Sequence, residues 1–191
     1  MVDQTLNDGE ISRGCRQNNP NAWRYLVRAY TPLVYRVAIR MLRDNEDAED
    51  ASQEVFMRVH RSIHSHDPTR SLAPWLTKIT YNVCLKRISR RSLTTDKEVE
   101  LYEDDMPEGN RGNSPETHLT GKQMTTHVLR ALDRLSAQDR ALVAMRYTEG
   151  FTDSEIAEST DMPVGTVKTK LHRARARLRE LLAPFIQEVT T

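Results

Sequence analysis

The sequence predicts an all-α chain of two small helical domains joined by a flexible acidic linker, the second domain carrying a helix-turn-helix. Three observations lead there. Apolar residues recur at helical spacing on both sides of a polar stretch, and no segment alternates convincingly as a strand does. That stretch, 93–121, is acidic, holds Pro107, Gly109, Gly112 and Pro115, and has almost no apolar period, so it cannot bury enough surface to offset its ordering entropy. The composition leans the same way, with Leu, Ala, Arg and Glu abundant, 7 glycines and 6% aromatics. The domain boundaries read as 1–92 and 122–191, with the linker at 93–121.

In the first domain, Trp23, Leu26, Val27, Tyr30, Leu33, Val34, Val37, Ala38 and Met41 form one broad apolar face between Ala22 and Leu42. Pro32 lies within this run and predicts a kink or a restart. A second helix opens in the acids Asp44 to Asp47, where carboxylates suit the positive end of the helix dipole, and turns Ala48, Ala51, Val55, Val59 and Ile63 inward. His64 to Arg70 is polar, with Asp67-Pro68 as a turn signal. A third helix spans about 72–90, with Trp75, Leu76, Ile79, Val83 and Ile88 as candidate core. In the second domain Val128, Leu129, Leu132 and Leu135 make one helix face, and Ala141, Leu142, Met145 and Tyr147 another.

The helix-turn-helix follows. Thr152 and Glu155 have capping-box spacing and start a helix packed through Ile156 and Ala157. Asp161-Met162-Pro163 breaks it, and Pro163 starts the next. Val167 and Leu171 face the first helix, leaving Thr166, Lys168, Thr169, Lys170, His172, Arg173 and Arg175 as the candidate major-groove surface. By side-chain type, Arg173 suits a bidentate contact to guanine, and Thr169 and His172 neighbouring base edges. Lys168, Lys170 and Arg175 suit phosphates.

The net charge of +1 averages unlike segments. From Thr94 to Glu116 eight acidic residues stand against Lys97 and Arg111, whereas Lys168 to Arg179 holds six basic residues and no acidic one. An acidic strand of this kind suits basic channels that otherwise take nucleic acid. No run reaches 18 apolar residues, so no membrane insertion is expected, and the first ten residues lack the apolar stretch of a secretory signal. Cys15 and Cys84 are far apart and read as reduced structural thiols. There is no HExxH, no Gly-rich phosphate loop and no nucleophile motif, so no enzyme activity, no metal and no cofactor is expected; His60, His64 and His66 read as a polar loop.

Taken in order, Asp47-Ala-Glu-Asp-Ala-Ser-Gln-Glu-Val-Phe56, Ala73-Pro-Trp-Leu-Thr-Lys-Ile-Thr-Tyr-Asn82, and Pro163-Val-Gly-Thr-Val-Lys168 with Leu171-His-Arg-Ala-Arg175 resemble the extracytoplasmic-function sigma factors in their minimal two-domain form. The resemblance covers roughly Asn21 to Leu182. It implies a cytoplasmic factor that binds core RNA polymerase and directs initiation at −10 and −35 promoter elements, under an anti-sigma factor. Asp50, Gln53 and Glu54 match positions that dock on the clamp coiled coil of the largest polymerase subunit. His66, Arg70, Trp75, Lys78, Asn82, Lys86 and Arg87 match the region that captures unpaired −10 bases, although Trp75, lying among apolar residues, reads first as core. Region 4, with the recognition helix, would take the −35 element. The alternative is a helix-turn-helix regulator that binds operator DNA without polymerase.

Overall fold

The computed structural model describes residues 6–94 and 121–187, and every regular element there is helical. The proposed acidic linker lies outside the described residues. In chain order the helices are α1 (Asp8–Arg16), α2 (Pro20–Leu42), α3 (Asn45–Ser62), α4 (Leu72–Thr94), α5 (Gly121–Asp133), α6 (Ala137–Tyr147), α7 (Asp153–Thr160) and α8 (Val164–Gln187). A short 3₁₀ turn, Ile63–Ser65, closes α3.

Local chemistry sets most helix starts. Asn19 caps α2 with Pro20 behind it, Asp44 caps α3 through the Asp47 amide, and Ser136 caps α6 through the Asp139 amide. Helix α1, which the sequence reading did not mark, opens with a full capping box between Asn7 and Glu10. Pro32 does not restart α2, which runs unbroken from Pro20 to Leu42. Pro32 and its neighbours 27–29 and 31 are exposed, so water reaches the carbonyl that the proline leaves unpaired, and the Thr31 hydroxyl caps the Val27 carbonyl at 2.7 Å.

Helices α1 to α4 share a core built on Leu26, Val34, Val37, Val55, Val59, Leu72 and Leu76, all buried. Each such side chain contributes about 1.5–3 kcal/mol. The inward set expected for α3 is buried throughout. In α4 the expectation was narrower than the result: Leu76 and Val83 are buried, Trp75, Ile79 and Ile88 are half-buried, and Thr77, Thr80, Tyr81 and Cys84 also lie inside. The reason is that α4 is covered from two sides, by α2 and α3 and by α7.

Helices α5 to α8 form the second group, around Leu142, Met145, Ile156, Val167 and Leu171. Leu129 and Tyr147, members of the two helix faces read from the sequence, are exposed at 42% and 57% and border an apolar groove between α5, α6 and α8. The two groups pack on each other through α2 with α6 and α4 with α7. Buried Arg140 links them, donating to the carbonyls of Arg40 (2.7 Å), Met41 (3.2 Å) and Leu135 (2.5 Å). It thereby sets a cation on the negative end of α2. Arg36 adds a bidentate pair to Glu149, both bonds at 2.7 Å.

Candidate nucleic-acid interface

The helix-turn-helix is built as its residues dictate. Gly150, at φ +72°, turns the chain into Thr152, whose hydroxyl caps α7 while Glu155 reaches back to the Thr152 amide at 2.8 Å. Asp161 ends α7 in the left-handed conformation at φ 55°. Pro163 then stands as the cap of α8 rather than inside it, its carbonyl accepting from the Val167 amide at 3.1 Å. Val167, Leu171 and Ala174 are buried, which turns the other side of α8 outward. Thr166, Lys168, Thr169, His172, Arg173 and Arg175 are all exposed there, and Lys170 is half-buried beside Asp139 at 3.7 Å. Lys168, Arg173 and Arg175 have no ion pair among the described residues, so this face meets solvent with its charge uncompensated. Arg146 and Tyr147 of α6 border the same groove as Lys168, Thr169, His172 and Arg175. Nothing in their local sequence sets them apart; only the packing of α6 on α8 brings them there.

The first group carries a second polar row. Trp75, Lys78, Asn82 and Lys86 follow one another at helical spacing along α4, Asn82 and Lys86 exposed. The upper end of this row is covered by α7: Lys78 pairs with Asp161 at 2.6 Å, Arg70 with Glu158 at 2.5 Å, and the Ser159 hydroxyl donates to the Pro74 carbonyl at 3.2 Å. Arg87 stands apart from the row, turned toward α3 and Glu54 at 3.0 Å. His66 is not on the surface at all. It is 2% exposed, hydrogen-bonded to Ser12 (2.9 Å) and to the Ser71 carbonyl (3.3 Å), with its ring against Trp75 at 5.1 Å between centroids. Burial pulls its imidazole below the ordinary value, against the opposing effects of the Ser71 carbonyl, Asp8 and Asp67. The half-buried Trp75 therefore shares its ring between packing and the surface.

On α3, Asp50 and Gln53 are exposed and Glu54 half-buried, on one side of the helix. Burial alone would raise the Glu54 carboxyl, but hydrogen bonds from Arg58 (2.6 Å) and Arg87 outweigh it and hold the group below the usual carboxylate range. Beside these polar groups Met57 (55% exposed) and Val27 (39%) border a shallow apolar strip with Phe56 and His60. Sequence reasoning missed this strip, although Met57 is an apolar residue out of step with the inward series Ala51, Val55 and Val59. Among the described residues no three His, Cys, Asp or Glu side chains are placed to hold a metal ion, and no helix is long and apolar enough to cross a membrane.

Two stretches match known families: residues 26–94 match Sigma-70 region 2, and residues 127–178 match Sigma-70, region 4. The chain is 31% identical to ECF RNA polymerase sigma factor SigM of Mycobacterium tuberculosis, over 92% of this chain and 84% of that one. It is 28% identical to SigW of Bacillus subtilis, over 87% and 92%. With SigE of Mycolicibacterium smegmatis the identity is 33% over 87% of this chain, which spans 64% of that longer relative. Two solved structures share the fold: CnrH in complex with the cytosolic domain of CnrY (TM-score 0.66, 20% identity, 93% of this chain and 97% of that) and the sigma factor RpoE of Bartonella quintana with the anti-sigma factor NepR (0.63, 21%, 84% and 96%). The two family matches, in this order on two helical groups, define a transcription-initiation specificity subunit. The chain belongs to the ECF RNA polymerase sigma factors.

Proposed function

We propose that the chain acts in the cytoplasm as a non-enzymatic specificity subunit, docking on core RNA polymerase through α3 and reading the −10 element with α4 and loop 64–71 and the −35 element with α8. One observation carries this: three chemically distinct faces lie on three helices, acidic and apolar on α3, mixed aromatic and basic on α4, basic with threonines on α8. Asp50 and Gln53 suit arginines on a partner helix, with Met57 and Val27 giving that contact an apolar centre. Exposed Asn82 and Lys86, with half-buried Lys78, suit the backbone of a melted strand, and half-buried Trp75 suits an unpaired base. Arg173 and its neighbours suit the major groove. Arg146 joins them as a phosphate ligand. The domain limits 1–92 and 122–191 divide these faces between two units.

An anti-sigma factor completes the proposal, since the structural relative RpoE is held by the anti-sigma factor NepR. The deciding experiment is run-off transcription by purified core polymerase with and without the chain, on a promoter library. Transcripts that start from a shared pair of elements only when the chain is present support the reading. Tight duplex binding by the chain alone, with no transcript, refutes it.

A further inference from the structure

We propose that α1 is a positioning element for promoter reading, with Asp8, Ser12 and Arg16 holding loop 64–71 in the shape that accepts an unpaired −10 base. The proposal rests on the assignment of that loop to the −10 element made above. Helix α1 lies outside the stretch that matches Sigma-70 region 2, which begins at residue 26. Its capping box, with both bonds between Asn7 and Glu10 at 2.9 Å, gives it a defined start. Ile11 and Cys15 anchor one side in the core. Residues 8, 9, 12 and 16 share the other side, and each meets the loop.

The contacts run from the loop's beginning to its end. Arg16 donates through Nη2 to the carbonyls of His64 (3.0 Å) and His66. Ser12 meets His66 Nδ1 at 2.9 Å, and His66 Nε2 donates to the Ser71 carbonyl, so one ring ties both ends of the loop together. Gly9 lies so close to the loop's middle that a Cβ there would stand 2.7 Å from the Pro68 carbonyl. Asp8 accepts from the Ser71 hydroxyl (2.9 Å) and the Leu72 amide (2.8 Å), which caps α4, and from the Tyr30 hydroxyl. With these groups drawn inward, His64, Ser65, Asp67, Thr69 and Arg70 are left exposed. Asp67 accepts from the Thr69 amide (2.9 Å) and hydroxyl (2.8 Å) and rigidifies the tip. A loop ordered before it meets DNA does not lose that freedom on binding, which raises affinity and sharpens the choice between bases.

The test uses the full chain bound to core polymerase and a fluorescent single-stranded oligonucleotide carrying the non-template −10 strand of a promoter selected by run-off transcription. Arg16→Gln and Ser12→Ala are each expected to weaken oligonucleotide binding by roughly tenfold and to flatten the preference among bases at one −10 position. Affinity for core polymerase and for −35 duplex stays at the wild-type level, and Arg16→Lys, which keeps one donor, recovers part of the loss. Unchanged oligonucleotide affinity and base preference in Arg16→Gln overturns the proposal. So does a parallel loss of oligonucleotide, polymerase and −35 binding, which marks α1 as a fold-stabilising element only. The double change Thr69→Ala with Arg70→Ala separates the two levels. If it leaves the oligonucleotide bound as before, the assignment of the loop fails, and if it weakens binding while the α1 changes do not, the positioning role alone fails.

Discussion

Individual side chains here differ most in whether their charge meets protein or solvent. Arg173 meets solvent, and Arg173→Ala is expected to lower −35 affinity by about 1–3 kcal/mol and to relax the preference at one base pair. Titrating promoter duplexes that differ at single positions against the holoenzyme checks both effects. His66 meets protein: Asp8 and Arg16 face it from α1 and Asp67 from its own loop, and burial dominates, so its folded value lies below the ordinary 6.5 of a free imidazole. Between those two values the unfolded chain binds a proton that the folded chain refuses, so stability falls as pH drops below about 6.5. Denaturant midpoints at pH 7.5 and 5.5 should therefore diverge more in the wild type than in His66→Gln. Burial also pushes the thiols of Cys15 and Cys84 up to about 11 and about 12. Both are expected to resist alkylation at neutral pH until the chain unfolds.

Helices carry function here through the face that packing leaves free. On α3 the free face pairs Asp50 and Gln53 with exposed Met57. Met57→Asp is expected to weaken polymerase binding by 1 kcal/mol or more, at the order expected of a central apolar contact, without lowering the melting temperature. A competition assay for core enzyme with parallel thermal melts tests it, and equal affinity for both forms would place the docking face elsewhere. On α7 the cap matters more than the surface. Thr152→Ala removes one member of a complete capping box and should destabilise the helix-turn-helix by about 1 kcal/mol. The periods of α2, α3, α7 and the start of α8 were legible because each buries a single stripe. Helix α4 was less so, since two neighbours bury it from two directions and blur its stripe, and α1 was legible only through the spacing of Asn7 and Glu10.

Across the whole molecule, the contact between α4 and α7 sets a limit on function. Glu158 and Asp161 occupy the cations that the −10 strand would need, Arg70 and Lys78. Such exposed pairs are worth about 0–1 kcal/mol each, so they mask the row without locking it. The buried Arg140 bonds to the α2 carbonyls hold the two groups more firmly. Polymerase, by engaging both groups at separated sites, is expected to pull α7 off α4. Accordingly Glu158→Gln with Asp161→Asn, which suits the left-handed position 161, should raise −10 oligonucleotide binding by the free chain severalfold while leaving the holoenzyme unchanged. Anisotropy measurements with and without core enzyme decide it. No gain in the free chain would mean that the row is open in solution.

By itself the sequence determined the helical class, the capped helix-turn-helix, the bare basic face of α8 and the inward residues of α3, because helical period and capping act over a few residues. Tertiary structure decided the rest. It buried His66, which composition had placed in a polar loop, because α1 brings Ser12 and Arg16 to that loop from some fifty residues upstream. It turned Arg87 to Glu54 rather than to the α4 row, added Arg146 and Met57 to the candidate surfaces, and covered Lys78 with Asp161. Those outcomes depend on which groups meet across the fold, and pairings so distant along the chain leave no local period to read.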